Sequence, residues 1–346
     1  MLLEKHRKVS MPPTRWACFS LDRERCNGCG RCVNSCPVQL LMLDDKNAAS
    51  NERYDVFRCL TCQNCAAVCP EDAVTIERDY RVLEGFWKNV HLFSGGKTLP
   101  APLGRSRGED FEDYKHELTE TERVIYQRRS NRLYRKKKLS RELIERVIEA
   151  GRFAPSAGNN QPWKFIVIQD AEVLNEINQK CKQTLRFFSK LCMPHAWLDK
   201  KTPGDKTARL VAWQKILLSI LVRFIRGDVD QRAHGGLNAV TSDPDYHTFF
   251  KASTLILLLA DKRAIGGTEL DIGICGQNMV LAAHSLGLGT CYVDLITKAL
   301  KHDRKFRRKL GITYPFEIVT TLALGHPLGK IDGIVRREQP RIDWIT

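Results

Sequence analysis

The clearest periodic signals lie in the second half of the chain. LSRELIERVIEAGRFAPS places Leu143, Ile144, Val147 and Ile148 on one helical face. Ser140 is in position to cap its start, and Gly151 and Pro155 are expected to end it. KFIVIQD, residues 164–170, alternates and branches like a strand. A second helical face follows at Leu174, Ile177, Cys181, Leu185 and Phe188. STLILLLAD reads as a buried strand. DIGICGQNMVLAAHSLGLG reads as a helix with Ile272, Cys275, Met279, Ala282 and Leu286 inward, stopped by Gly287. TCYVD and EIVTTLALG are two further strands. Before residue 118 this regularity is missing. FSGGKTLPAPLGRSRGEDFED is rich in Gly, Pro and charge, as in a linker. Its GGKT lacks the glycine and the strand–loop–helix frame of a phosphate loop.

The early region has cysteine in place of periodicity. Of 13 Cys, eight lie in CNGCGRCVNSCP and CLTCQNCAAVCP; Cys18, Cys181, Cys192, Cys275 and Cys291 are scattered. Each run reads C-x2-C-x2-C-x3-C-P. Three closely spaced thiolates wrap one corner of an iron–sulfur cube, and the fourth, followed by Pro, reaches the other cube. This grammar assigns Cys26, Cys29, Cys32 and Cys69 to one [4Fe-4S] cluster and Cys59, Cys62, Cys65 and Cys36 to the other. Gly28 and Gly30 supply the positive φ that such a wrap needs. Two structural zinc sites are the competing reading, but zinc favours paired C-x2-C ligands and leaves the two C-P endings awkwardly shared. Residues 18–79 resemble a bacterial two-cluster ferredoxin. A domain of that size has little apolar core, so the clusters are expected to serve as its interior.

Composition narrows the remaining possibilities. At 346 residues and 43% hydrophobic content, about two domains with a sizeable core are expected. The start MLLEKHRKVSMPPTRW does not read as a secretory leader. ILLSILVRFI and STLILLLA fall short of the roughly 18 residues that cross a bilayer. A reducing, cytoplasmic setting is the expectation. The formal charge of +15 invites a nucleic-acid reading, but KKK, RKFRRK and RVIYQRR carry no stacking aromatics or base-reading motif. Clusters and a flavin phosphate would offset roughly six of those charges. A solvated face, or one meeting an acidic partner, is the better default.

Three stretches of the larger region suggest a ligand. RRSNR, Arg128 to Arg132 and read as lying just before a helix, offers donors suited to a phosphate or ribityl chain. APSAGNNQPW offers free backbone N–H groups and three carboxamides. ALGHPLGK leads to Arg336 and Arg337. Taken singly, each is more often a plain basic or small-residue turn. In this order, together with DIGICGQNMVLAAHSLGLGTCYVD, they resemble the nitroreductase family of FMN flavoproteins over residues 118–346.

That resemblance implies an α+β sheet sandwiched by helices, in a homodimer with FMN at the subunit interface. Arg128, Arg129, Ser130 and Arg132 would hold the FMN phosphate and ribityl groups. Pro155, Ser156, Ala157 and Asn159 would reach the flavin from the partner subunit. Tyr292, Val293 and Asp294 would pass near the isoalloxazine, and Arg337, with Arg336, would complete the phosphate clamp. Gly325-His326-Pro327 stands where many relatives have Gly-Tyr-Pro, and His326 is read as a structural variant. No catalytic acid is assigned.

The expected organisation is an N-terminal extension (1–17), a ferredoxin domain (18–79), a linker (80–117) and an FMN domain (118–346) with a helical insertion at about 180–250. His195, Trp197, Trp213 and His234 in the insertion are pocket candidates; the plainer reading makes the Trp packing anchors and the His surface residues. ILLSILVRFI, between Lys215 and Arg226, reads as a core or dimer-interface helix, with a membrane-surface helix as the alternative. The expected function is an iron–sulfur flavoprotein oxidoreductase. It would take electrons from a low-potential donor such as ferredoxin through two clusters to FMN, and reduce a small electrophile (a nitroaromatic, quinone or activated alkene). An electron-transfer or redox-sensing module serving a protein partner is the alternative.

Overall fold

The computed structural model describes residues 13–45, 48–51, 59–78, 80–84, 97–102, 110–192, 236–237, 239–241, 243–301, 303–338, 340 and 342–346. His195, Trp197, Trp213, His234 and the ILLSILVRFI segment lie outside the described residues.

The smaller unit pairs β1 (Cys18–Leu21) antiparallel with β2 (Val74–Glu77). Between them lie two five-residue helices, α1 (Arg31–Ser35) and α2 (Asn64–Val68). Its apolar interior is thin: Leu41, Ala49, Ala73 and Val74 gather around Cys32, Cys65 and Cys69.

The larger unit is built on a four-stranded antiparallel sheet. Its strands are β3 (Trp163–Ile168), β4 (Thr254–Asp261), β5 (Gly289–Tyr292) and β6 (Phe316–Gly325), in spatial order β5-β6-β4-β3. Strand β4 is apolar throughout because both of its faces are covered. Leu255, Leu257 and Leu259 enter one core with Ile177, Ile296 and Leu300; Ile256, Leu258 and Ala260 enter another with Val147, Ile272 and Met279. Successive strand residues point to opposite faces, so one continuous run feeds two cores. Helices α5 (Ala171–Cys192) and α7 (Asp294–Lys301) cover the first face, and α4 (Arg141–Arg152) and α6 (Thr268–Ser285) the second. The expected α+β class is what the chain forms. Among the described residues, no helix is long and apolar enough to cross a membrane.

Local signals set most boundaries. Ser140 Oγ accepts the Leu143 N–H at 3.3 Å, starting α4 where expected. Gly287 takes a φ of +72° just beyond α6. Gly151 corrects the expectation, since it lies inside α4 rather than ending it. A Cβ there would come within 2.7 Å of Met279 Cγ, so this glycine lets α4 and α6 approach closely. RRSNR is also corrected: it follows helix α3 (Glu120–Gln127), whose Thr119–Glu122 capping box fixes its start, and Arg128 is the C-cap. Parts of 80–117 pack rather than run free. Lys97–Thr98 pairs with Arg337–Glu338, and Phe111, Tyr114 and Leu118 form a small cluster against Leu99 and Ile334.

Candidate functional site

The two cysteine runs fold alike. Gly30 (φ 64°, ψ 8°) and Gln63 (φ 54°, ψ 16°) are left-handed N-caps of α1 and α2. Cys36 and Cys69 end those helices in extended conformation and so leave the wrap. Their sulfurs accept N–H groups from Leu40 at 3.4 Å and Ala73 at 3.3 Å. Electrostatically the thiols fall into two crossed groups. Cys32 interacts with Cys69, Cys29 and Cys26, whereas Cys65 interacts with Cys62, Cys59 and Cys36. Burial pushes the Cys32 thiol up to about 11 and Cys65 well above the ordinary thiol range. Such thiols become thiolates when a bound cation shares their charge. Among the described residues no three close to the spacing of one metal ion.

The RRSNR segment divides its side chains between two sides. Arg128 is held below the ordinary guanidinium range, first by burial and then by the charge of Arg337. Two guanidiniums that repel, half-buried Arg128 and exposed Arg337, make a receptor for an anion such as a phosphate. Arg129, expected beside them, is directed elsewhere. It is 3% exposed and donates to Asn64 Oδ1 at 2.6 Å and to the Lys330 carbonyl at 2.5 Å, on the cysteine-bearing unit and the C-terminal segment. Burial lowers its pKa to about 10, so it stays cationic at neutral pH. Arg132 lies with its guanidinium 5.8 Å from the Phe250 ring centroid and interacts with Cys291 and Cys62. Ser130 bridges Thr290 of β5 and, with Arg132, bonds the Cys291 thiol.

Past Cys291, Tyr292 is 38% exposed, and its hydroxyl lies where a Cβ on Gly276 would meet it at 2.6 Å. Val293 is buried, and Asp294 pairs with Lys298 at 2.9 Å. The loop after α4 leaves Pro155 and Asn159 exposed and Ser156 and Ala157 half-buried. Ser156 Oγ accepts the Gln161 N–H at 2.9 Å, and Ala157 N–H donates to Asp271 at 3.4 Å. Gly158, Asn159 and Gln161 all have positive φ, which presents this loop outward beside exposed Phe153, Ile265 and Leu270. Burial, with Lys137 and Arg135 nearby, lowers the His326 pKa.

Several contacts at this site had no local signal in the sequence. Arg336 N–H donates to Gln63 Oε1 at 3.1 Å, while Arg337 faces Arg128. Tyr246 donates to the Pro37 carbonyl at 3.0 Å, next to Cys36, and Gln39 donates to Asp243 at 2.6 Å. A Cβ on Gly333 would stand 2.2 Å from the Ala67 carbonyl oxygen. The one available hint was Asn64, which stands in the second run where Arg31 stands in the first.

Comparison with known proteins agrees with this architecture. The model of the nitroreductase family matches residues 125–326, and that of a 4Fe-4S dicluster domain matches residues 25–73. The chain therefore belongs to the nitroreductase family, an oxidoreductase family, and carries a 4Fe-4S dicluster domain ahead of it, as its motifs implied. A Haemophilus influenzae protein with the provisional name NAD(P)H nitroreductase is 31% identical over 176 residues, 49% of this chain and 71% of that one. An Archaeoglobus fulgidus protein with the provisional name NADH dehydrogenase/NAD(P)H nitroreductase is 45% identical over 62 residues. That match spans 18% of this chain and 36% of the relative. A crystal structure of a Bacteroides fragilis nitroreductase with bound FMN aligns at TM-score 0.43 and 20% identity, over 66% of this chain and 98% of that one.

Proposed function

We propose that the chain is an iron–sulfur flavoprotein oxidoreductase in which two [4Fe-4S] clusters pass electrons from a low-potential donor, such as ferredoxin, to FMN. Its substrate would be a small electrophile: a nitroaromatic, quinone or activated alkene. One observation carries this reading. The cysteine-bearing unit docks on the segment bearing the arginine pair, through Arg129–Asn64 and Arg336–Gln63. A wire placed elsewhere could not serve a flavin there.

Cys26, Cys29, Cys32 and Cys69 would hold one cluster and Cys36, Cys59, Cys62 and Cys65 the other. Arg128 and Arg337 would grip the FMN phosphate, with Ser130 near the ribityl chain. Tyr292, Val293 and Asp294 would border the ring. Bound FMN supplies two-electron storage and hydride delivery between one-electron donors and the substrate. The outward loop, Pro155 to Asn159, would complete the flavin site of a second copy, with Phe153, Ile265 and Leu270 covered in that homodimer. Thiol ligands suit a reducing cytoplasm.

Anaerobic protein should contain about eight Fe and eight sulfide per chain, and one FMN. Rapid mixing with reduced ferredoxin should bleach the flavin faster than NADH or NADPH does, and the rate should fall with salt because the surface is basic. Fast reduction by NADPH after both clusters are removed would overturn the proposed route. Turnover of a protein partner with no small electrophile accepted would favour the electron-transfer module instead.

A further inference from the structure

Arg129 presents an electrostatic problem that the phosphate site does not resolve. The residue is 3% exposed, yet among the described residues its guanidinium forms no ion pair. Both hydrogen bonds go to neutral oxygens, and its Nε is buried without a partner among the described residues. Asp332 acts on it only from a distance. A cation this deeply buried is strongly unfavourable unless a negative charge lies near it.

Its surroundings indicate where that charge would be. Arg129 holds Asn64 Oδ1, and Asn64, 1% exposed, donates in turn to the Ser35 carbonyl at 2.9 Å. Asn64 precedes Cys65 and Ser35 precedes Cys36. Both cysteines belong to the quartet completed by Cys59 and Cys62. Arg132, three residues on, also lies near Cys62. The other quartet has a different setting, since its Cys29 is exposed to solvent.

We propose that Arg129, supported by Arg132, is the built-in counter-charge of the cluster held by Cys36, Cys59, Cys62 and Cys65 and raises its reduction potential. The inference rests on the reading that both quartets hold [4Fe-4S] clusters. Reduction adds one electron to a cluster from an external low-potential one-electron donor, which is oxidised; no bond forms or breaks. The added negative charge is stabilised by a nearby cation through a poorly screened interior. Arg129 is thus a positioning and tuning residue, not a catalytic one.

The test is a potentiometric titration followed by electron paramagnetic resonance on the anaerobic, cluster-loaded protein. Cys62→Ser identifies the signal of the second cluster, whether by altering or by abolishing it. In Arg129→Met that signal's midpoint should move to lower potential, while the other cluster moves less. Arg129→Lys keeps the charge and should stay near the parent, which a loss of packing alone would not produce. If Arg129→Met does not fold, Arg132→Met should show the same direction of shift. An unmoved second midpoint, or a larger shift of the first, overturns the inference. Protein without iron–sulfur clusters would instead remove the reading beneath it.

Discussion

The two cysteine runs share a sequence grammar and a backbone, but their surroundings differ. Both begin their short helices from a left-handed residue and end them on an extended cysteine. The first exposes Cys29, and its α1 begins at Arg31, half-buried. The second begins α2 at buried Asn64 and meets Arg129, the backbone of Arg336 and the close approach of Gly333. A near-twofold unit thus becomes directional through the contacts that gather around the second quartet, at Asn64, Gln63 and the Cys36–Pro37 corner. Repeated ligands specify two similar sites, and their neighbours make them unequal.

Cysteine replacement should break this comparison most severely. Cys36 sits in the first run but groups with the second quartet. Cys36→Ser and Cys62→Ser should therefore damage the same paramagnetic signal, with iron falling toward half. Cys69→Ser should pair with Cys29→Ser. If Cys36→Ser and Cys29→Ser affect one signal together, the crossed assignment is wrong.

The arginines should respond next. Removing a charge-assisted phosphate contact costs about 1.5–3 kcal/mol, or roughly ten- to hundred-fold in affinity. Arg128→Ala combined with Arg337→Ala should therefore release FMN on gel filtration while leaving iron in place. Arg336→Ala should retain flavin, because the contact Arg336 makes with Gln63 is through its backbone. Equal flavin loss in the two cases would remove the distinction drawn between these neighbours.

How much of this could be read from the chain divides along the same line. Ligand spacing, the cap at Ser140, the stop at Gly287 and the strand at Thr254–Asp261 are local, and each is encoded within a few residues. RRSNR announces cations, but nothing within five residues says that Arg128 turns to Arg337 and Arg129 to Asn64. That division depends on docking between segments more than sixty positions apart (Asn64 with Arg129, |i−j| of 65). Gly151 was misread for a related reason: a glycine near a helix end looks like a stop, and only Met279 on another helix reveals a packing role.

Gly333 gives a smaller effect at the seam. An added Cβ would be driven against the Ala67 backbone, which cannot rotate away. Gly333→Ala should therefore cost about 1–3 kcal/mol and loosen the second run from the C-terminal segment. Thermal melting, and protease cleavage near residue 333 at native temperature, would record it. The same substitution at Gly311, where no atom lies within 4 Å of a Cβ, should leave the seam intact and act only through the strain of its positive φ.

The smallest effect belongs to Gln39, which holds Asp243 at 2.6 Å beyond the Cys36–Pro37 corner. Burial alone would raise the Asp243 carboxyl, but bonds from Gln39 and the Asp245 N–H outweigh it and leave the group below its ordinary value. A depressed carboxylate contributes stability that is fully present above its unfolded value of 3.8 and is lost as pH falls through the lower, folded value. Gln39→Ala should weaken docking by about 1 kcal/mol at neutral pH. The difference from the parent should narrow as pH falls from 3.8 through the lower folded value, below which protonated Asp243 offers a charged acceptor in neither protein. Melting temperatures of both proteins across the acid range measure this directly. A gap that stays constant through that window would mean that Gln39 acts through packing, and that the carboxylate has no part in holding the Cys36 corner against the larger domain.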